Sequence, residues 1–186
     1  MIYPQEWKTY NNAAATNLLL GNVDEAATQL DKANSLKPNN GVIANNLGVV
    51  AAWKKDYEAA KTYYETAKGQ GVNVAYNMGV LMILDGNYEG AISSFSEVNG
   101  CDYNLALATL MTNNPSDAMK ILDCSTKSAE VYYLLAVVGA RTGNTSMMTE
   151  NLKKACAEVP AYKVQAKDDR EFIKYFDNSD FKDAIK

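Results

Sequence analysis

Few residues in this sequence have the types and spacing that enzyme chemistry requires. The 186 residues include no histidine, which excludes Ser-His and Cys-His nucleophile pairs and a histidine general base. Adjacent carboxylates at positions 24–25 and 168–169 fall at expected helix starts or on a charged surface, where they stabilise the helix dipole or stay in solvent. The Gly-Gln-Gly sequence at 69–71 fits neither of the phosphate-binding motifs GxGxxG and GxxxxGK[ST]. We therefore expect no catalytic residues and a protein that is not an enzyme.

The three cysteines do not form a metal-binding pattern. Cys101, Cys124 and Cys156 are too far apart in sequence for a CxxC pair, and a structural zinc site needs four cysteine or histidine ligands. We therefore expect neither a metal nor a cofactor. A disulfide between two of them is one interpretation, and small buried apolar side chains are the one that we favour.

Composition and charge exclude further classes of function. Hydrophobic residues make up 47% of the chain, enough for a substantial core, and the formal net charge is −4. The lysines are scattered among carboxylates, whereas nucleic-acid binding requires a basic surface. No apolar stretch approaches the roughly 18 to 20 residues that span a bilayer, so we expect no membrane insertion. The first ten residues lack the pattern of a secretory signal, so we expect a cytoplasmic protein, or a periplasmic one if the sequence was cut from an exported parent protein.

A pattern of turns recurs along the chain. Five dipeptides have the character of helix-to-helix turns, at positions 21–22, 55–56, 86–87, 113–114 and 143–144. Each is followed at the same distance by a small or apolar residue: Ala26, Ala60, Ala91, Ala118 and Met148. The successive intervals of 34, 31, 27 and 30 residues are typical of a solenoid of helix pairs.

The residues at these turns match what helix ends require. An Asn or Asp can cap each following helix by accepting hydrogen bonds from its first amides; the five are Asn22, Asp56, Asn87, Asn114 and Asn144. The residue before each is expected to take the left-handed conformation that ends a helix, which glycine and, to a lesser degree, asparagine tolerate. Lys55 is the exception in this series. Within the helices, Gly48 and Gly79 are costly unless a second helix approaches closely.

Two segments carry the most complete pattern, NNLGVVAAWKKDYEAAKTYYETAK at 45–68 and YNMGVLMILDGNYEGAISSFSEV at 76–98. With their Leu/Met-Gly, Asp/Asn-Tyr turn, alanine and later aromatic, they resemble the tetratricopeptide repeat (TPR) family. The resemblance implies an all-α fold, a right-handed α-solenoid of antiparallel helix pairs with roughly 11–12 helices. We expect an array over 1–160, with repeats at about 7–40, 41–71, 72–98, 99–126 and 129–160. The fourth repeat is short and degenerate. Residues 161–186 are expected to form one amphipathic helix, a turn at positions 177–178 and a short helix, which together cap the open apolar end.

The resemblance also implies where a partner binds. In TPR arrays the first helix of each pair lines a concave groove, and the residues expected there are Asn12, Asn46, Val49, Trp53, Tyr76, Asn77, Val80 and Tyr133. Asn12, Asn46 and Asn77 recur in the same phase, so their amides can form a ladder suited to a peptide backbone; alternatively, asparagine is simply common there in the family. Trp53 and Tyr76 are candidate anchors for a partner, although Trp53 can instead pack on its neighbours.

The groove lacks the cations of the best-known TPR ligand site. That site grips the carboxylate pair of a chaperone tail, and at its basic positions this chain has Asn11, Asn73 and Asn77. A neutral groove suits an apolar peptide or helix better, since charge-assisted bonds are the strong ones. The leading hypothesis is a non-catalytic protein–protein interaction module that binds a peptide or helix of a partner, as a monomer or with weak self-association. The alternative is a structural spacer or self-association domain of a larger, possibly cell-envelope, protein.

Overall fold

The computed structural model describes residues 5–97 and 100–186, and within these ranges the chain is helical with no strand. There are twelve α-helices and one 3₁₀ helix, η1, in this described part. Their bounds are α1 Glu6–Leu19, α2 Val23–Leu36, α3 Gly41–Trp53, α4 Tyr57–Gly69, α5 Ala75–Leu84, α6 Tyr88–Phe95, α7 Tyr103–Met111, α8 Pro115–Cys124, α9 Ala129–Thr142, α10 Thr145–Glu158, α11 Tyr162–Asp168, η1 Arg170–Tyr175 and α12 Ser179–Ala184. The helices form two compact units, Met1–Ser94 and Phe95–Lys186.

In the first unit, α1 packs on α2 and α3 packs on α4, and each hairpin contacts the next helix along the chain. Small residues allow the close approach within a pair: Ala14 meets the α2 residues Ala26 and Leu30 in one buried cluster. Ala51, Ala60 and Tyr64 belong to the next cluster, which includes Leu81 of α5. Small residues at the close contacts and larger ones beside them therefore fill the space between these helices.

The turns between paired helices share one geometry. The first residue of each turn, two positions before the second helix of the pair begins, has a positive φ, between 63° and 77°. These residues are Gly21, Lys55, Gly86, Asn113 and Gly143. Lys55, which the sequence marked as the exception, adopts the same left-handed conformation with φ 63°. The turn geometry therefore does not depend on glycine, although a residue with a Cβ is strained there.

The capping prediction is correct for three of the five residues. Asp56, Asn87 and Asn144 each accept a hydrogen bond from the third backbone amide that follows, at 3.0–3.1 Å. Asn22 and Asn114 make no such bond. Their amide nitrogens instead donate to oxygens of the preceding segment, Asn114 to Thr112 for example, so the side chain turns away from the helix that it was expected to cap.

Glycine at position 48 is required by the packing of α3 on α4. A Cβ added to Gly48 would lie 2.4 Å from Cε1 and 2.6 Å from Cδ1 of Tyr64, whose side chain is buried. The sequence-based explanation of this glycine is thus correct. It missed Gly139 in α9, where a Cβ would lie 2.6 Å from the backbone nitrogen of Met148.

The second unit is built around α9, which is buried along most of its length. The largest buried residues of the C-terminal segment, Phe172, Phe181 and Ile185, join one cluster with residues of α9 and α10. The segment was expected to begin as a single amphipathic helix. It is divided instead, because Asp169 has an extended backbone and its side chain accepts a hydrogen bond from the Glu171 amide to start η1.

The cysteines differ from the favoured expectation. Cys101 and Cys124 form a disulfide with a Cα–Cα distance of 5.3 Å, and only Cys156 is a buried free thiol. The bond joins Cys101, which precedes α7, to Cys124, the last residue of α8. Sequence could not decide this pairing, since 23 positions separate the two cysteines and only the antiparallel α7–α8 hairpin brings them together.

Candidate functional site

The first unit contains an apolar pocket of about 390 Å³ between α3, α4 and α5. Its lining residues are Val49, Ala52, Trp53, Lys55, Tyr57, Tyr64, Asn77, Val80, Leu81 and Leu84. Four of them belong to the predicted partner-binding set, namely Val49, Trp53, Asn77 and Val80. The pocket has the volume of a small ligand site and can accept a large side chain.

The lining is graded from buried to exposed. Tyr64 and Leu81 are almost fully buried, whereas Trp53 is 59% exposed and Leu84 is 49% exposed. Trp53 is the last residue of α3, and its position at the helix end leaves its indole beside the pocket and open to solvent. Trp53 and Leu84 thus extend the apolar lining of the pocket to the protein surface, and tryptophan is a frequent anchor residue in protein interfaces.

The residues beside the turn after α3 were missing from the sequence-based site. Lys55 and Tyr57 line the pocket because the left-handed turn at Lys55 folds α4 back against α3. A signal for them existed in the sequence, since both flank the turn directly after Trp53. Helical periodicity along the first helix of each pair does not reach these two residues, because they lie beyond the end of α3.

The asparagine side chains form a chain of amide hydrogen bonds from α5 to α1. Asn77 donates to Asn45 (2.8 Å), Asn45 to Asn46 (3.3 Å) and Asn46 to Asn11 (2.9 Å). The expected ladder placed Asn12, Asn46 and Asn77 in register. The structure instead brings in Asn11, which is buried, while Asn12 is exposed. The amides thus bond first to one another, and each NH₂ group keeps a second hydrogen for another acceptor.

Two other predicted residues lie apart from the pocket lining. Tyr76 is on α5 and 39% exposed. Tyr133 lies in the second unit, where only 7% of its surface is exposed. Its hydroxyl donates to Asp169 (2.9 Å) and its ring packs on Tyr162 and Phe172. The chain's own C-terminal segment therefore covers the surface of Tyr133 that was expected to face a partner.

Lys55 is the one charged residue among the described residues that line the pocket. Lys54 bonds to the exposed Asp24 at 2.8 Å, and this hydrogen bond holds the pKa of the Asp24 carboxyl below its usual value. Burial raises the pKa of Tyr64 to about 12, so its hydroxyl is neutral at physiological pH. Apart from Lys55, the described lining of the pocket is therefore uncharged.

The described residues contain no group of three or more His, Cys, Asp and Glu side chains that could hold a metal ion. Nor is any helix in the described ranges long and apolar enough to cross a bilayer. What the pocket can do chemically is bury an apolar side chain beside a line of amides.

Comparison with known proteins agrees with this architecture. Residues 8–40 match the sequence model of the tetratricopeptide repeat. No curated protein matches the sequence. A structure from a functional characterisation of PilF of Pseudomonas aeruginosa is similar, with a TM-score of 0.63, 17% identity and coverage of 95% of both chains.

Two further solved structures are described as TPR proteins. YrrB, described as having an unusual peptide-binding site, gives a TM-score of 0.61 at 21% identity, over 86% of this chain and 90% of that chain. A TPR protein from Parabacteroides merdae ATCC 43184 gives 0.55 at 18% identity, over 87% and 83%. These likenesses confirm the predicted all-α solenoid fold. The chain is therefore a helical-repeat protein with the tetratricopeptide repeat fold, and its first helix pair matches the family's sequence model.

Proposed function

We propose that this protein is a non-catalytic interaction module that binds a peptide segment of a partner protein, with one large apolar side chain of that segment inserted between α3, α4 and α5. The observation that carries the proposal is the pocket of about 390 Å³ with an exposed tryptophan at its edge. A protein that used these helices only for spacing would have no need for an open apolar pocket.

Two features suit a peptide better than a small hydrophobic molecule. The amide chain that ends at Asn77 lies along α5, α3 and α1, so its spare N–H groups can donate to the carbonyls of an extended backbone. Asn77 also lines the pocket, which places an apolar site and a polar site side by side. The similarity to YrrB, described as having a peptide-binding site, supports the same class of ligand.

The test is affinity capture from the native source with three forms of the protein. These are wild type, Trp53→Ala, and Leu19→Ala as a control, because Leu19 is 89% exposed and is not among the pocket lining. We expect a partner that wild type and Leu19→Ala retain and Trp53→Ala loses. With the purified partner, Trp53→Ala should weaken binding by about 30-fold, since truncating an aromatic hot spot costs ~2 kcal/mol or more.

Equal binding by the three forms, with matched helical content, would contradict the proposal. It would favour the alternative of a spacer or self-association domain in a larger protein. The disulfide gives that alternative some support, because such bonds persist mainly in oxidising compartments and therefore suit an exported or cell-envelope parent protein. Sedimentation at high concentration separates self-association from spacing.

A further inference from the structure

The turn beside the pocket has a close counterpart in the second unit. Lys55 and Gly143, 88 residues apart, both have positive φ. The amide of Lys55 donates to the Ala52 carbonyl (3.0 Å), and that of Gly143 donates to the Ala140 carbonyl (3.3 Å). The residues that follow, Asp56 and Asn144, both cap the next helix. The hairpins α3–α4 and α9–α10 can therefore be aligned at their turns with a shift of 88 residues.

The same shift relates the pocket lining to residues of the second unit. Val49, Ala52, Trp53 and Tyr64 correspond to Val137, Ala140, Arg141 and Leu152. Among these counterparts, Val137, Ala140 and Leu152 belong to the buried cluster of the second unit, against which Tyr175 of η1 packs. Tyr175 of the same protein therefore packs on the cluster that contains these counterparts, whereas the pocket at α3–α4 is open.

The contact made by Tyr175 is specific. Its hydroxyl donates to the carbonyl oxygen of Ala140 at 3.0 Å, and Ala140 is the counterpart of the pocket residue Ala52. A carbonyl oxygen has two lone pairs. The Ala140 oxygen uses one for the Gly143 amide and one for the tyrosine. The Ala52 oxygen accepts from the Lys55 amide in the same way, which leaves a lone pair for an incoming hydroxyl.

We infer that the pocket between α3, α4 and α5 selects a tyrosine side chain of the partner, with the ring against Val49 and Trp53 and the hydroxyl bonded to the Ala52 carbonyl. The inference rests on the proposed function and names the residue that the pocket recognises. The neighbouring contact differs between the two sites. Arg141 bonds to Glu171 in the second unit, whereas its counterpart in the pocket is Trp53, so an aromatic ring replaces an ion pair beside the tyrosine.

The test is selection of binders from a displayed library of random linear 12-residue peptides. Wild type is compared with Val80→Phe, which fills the pocket, and with Leu84→Trp as a second filled variant at a more exposed position should the first fail to fold. We expect tyrosine at one enriched position with wild type and loss of those peptides with the filled variant. Changing that tyrosine to phenylalanine in a selected peptide should weaken binding by about three- to tenfold, the worth of one hydrogen bond.

The outcomes separate this inference from the proposed function. Enriched peptides that carry aliphatic residues instead, and that are lost with the filled variant, would overturn the tyrosine assignment and leave the peptide-binding pocket standing. A phenylalanine peptide that binds as tightly as its tyrosine form would overturn the bond to Ala52. If no peptide is enriched, or if filling the pocket changes nothing, both the inference and the proposed function fail.

Discussion

Replacement of Gly48 by alanine tests the packing that forms the floor of the pocket. The new Cβ would lie 2.4 Å and 2.6 Å from two ring carbons of Tyr64. That ring is only 2% exposed, so it must shift from its packed position to make room for the Cβ. Overpacking of this kind costs ~1–3 kcal/mol, and the better helix propensity of alanine returns up to ~1 kcal/mol. We expect a net loss of roughly 1–2 kcal/mol in the free energy of unfolding of the first unit.

The assay is urea denaturation followed by tryptophan fluorescence, because both tryptophans of the chain, Trp7 and Trp53, lie in the first unit. With ordinary urea slopes, the midpoint should fall by roughly 0.5–1 M. Gly69→Ala is the matched control, since a Cβ there meets nothing within 4 Å. This control should leave the midpoint unchanged or raise it slightly.

A double variant decides whether Tyr64 is the cause. In a Tyr64→Leu background the ring atoms that clash are gone, so Gly48→Ala should cost almost nothing there. If Gly48→Ala costs the same in both backgrounds, the close approach is not the reason for the glycine and the packing argument is wrong. Displacement of the Tyr64 ring should also weaken whatever the pocket binds, since Tyr64 lines it.

Three further outcomes are expected. Lys55→Gly should stabilise the first unit by ~1 kcal/mol, because glycine adopts the left-handed conformation without the strain that a Cβ causes. If the midpoint of urea denaturation does not rise, Lys55 is not strained. Reduction of the Cys101–Cys124 bond should destabilise the second unit by about 3 kcal/mol through the entropy of the opened loop. Hydrogen exchange in α7 and α8 should then become faster, and unchanged exchange would show that the disulfide does not stabilise this helix pair. Glu171 has a pKa lowered by its hydrogen bond from Arg141. Its stabilising contribution is therefore present above the unfolded pKa of about 4.3 and lost as the pH falls through the folded pKa. The difference in melting temperature between wild type and Glu171→Gln should shrink over that acid range, and a constant difference would refute the linkage.

The fold was predictable because its determinants are local and repeated. The positive-φ turns and the small or apolar residues that follow them are local features of the sequence, and each occurs five times along the chain. The pocket was partly predictable for the same reason: residues three and four apart on α3 and α5 share a face. Lys55 shows the limit of the turn argument, because tertiary packing of α4 on α3 holds a left-handed residue that local preference disfavours.

The remaining features depend on contacts between distant positions. The amide chain uses Asn11 rather than Asn12, because the way α3 lies against α1 decides which of two adjacent side chains Asn46 reaches. The contacts of Tyr133 with Asp169 join residues 36 positions apart, and no periodicity in the sequence specifies them. The disulfide between Cys101 and Cys124 likewise joins positions that are distant in the sequence.

That disulfide has a mechanical consequence. Because it joins the start of α7 to the end of α8, a pulling force applied to the two ends of the chain passes through the sulfur–sulfur bond and bypasses the intervening helices. The cysteines are 23 positions apart, so roughly 80 Å of extended chain is withheld from any stretching. A protein placed between two tethered partners would therefore have one helix pair that cannot lengthen under load, and reducing agents would release that length.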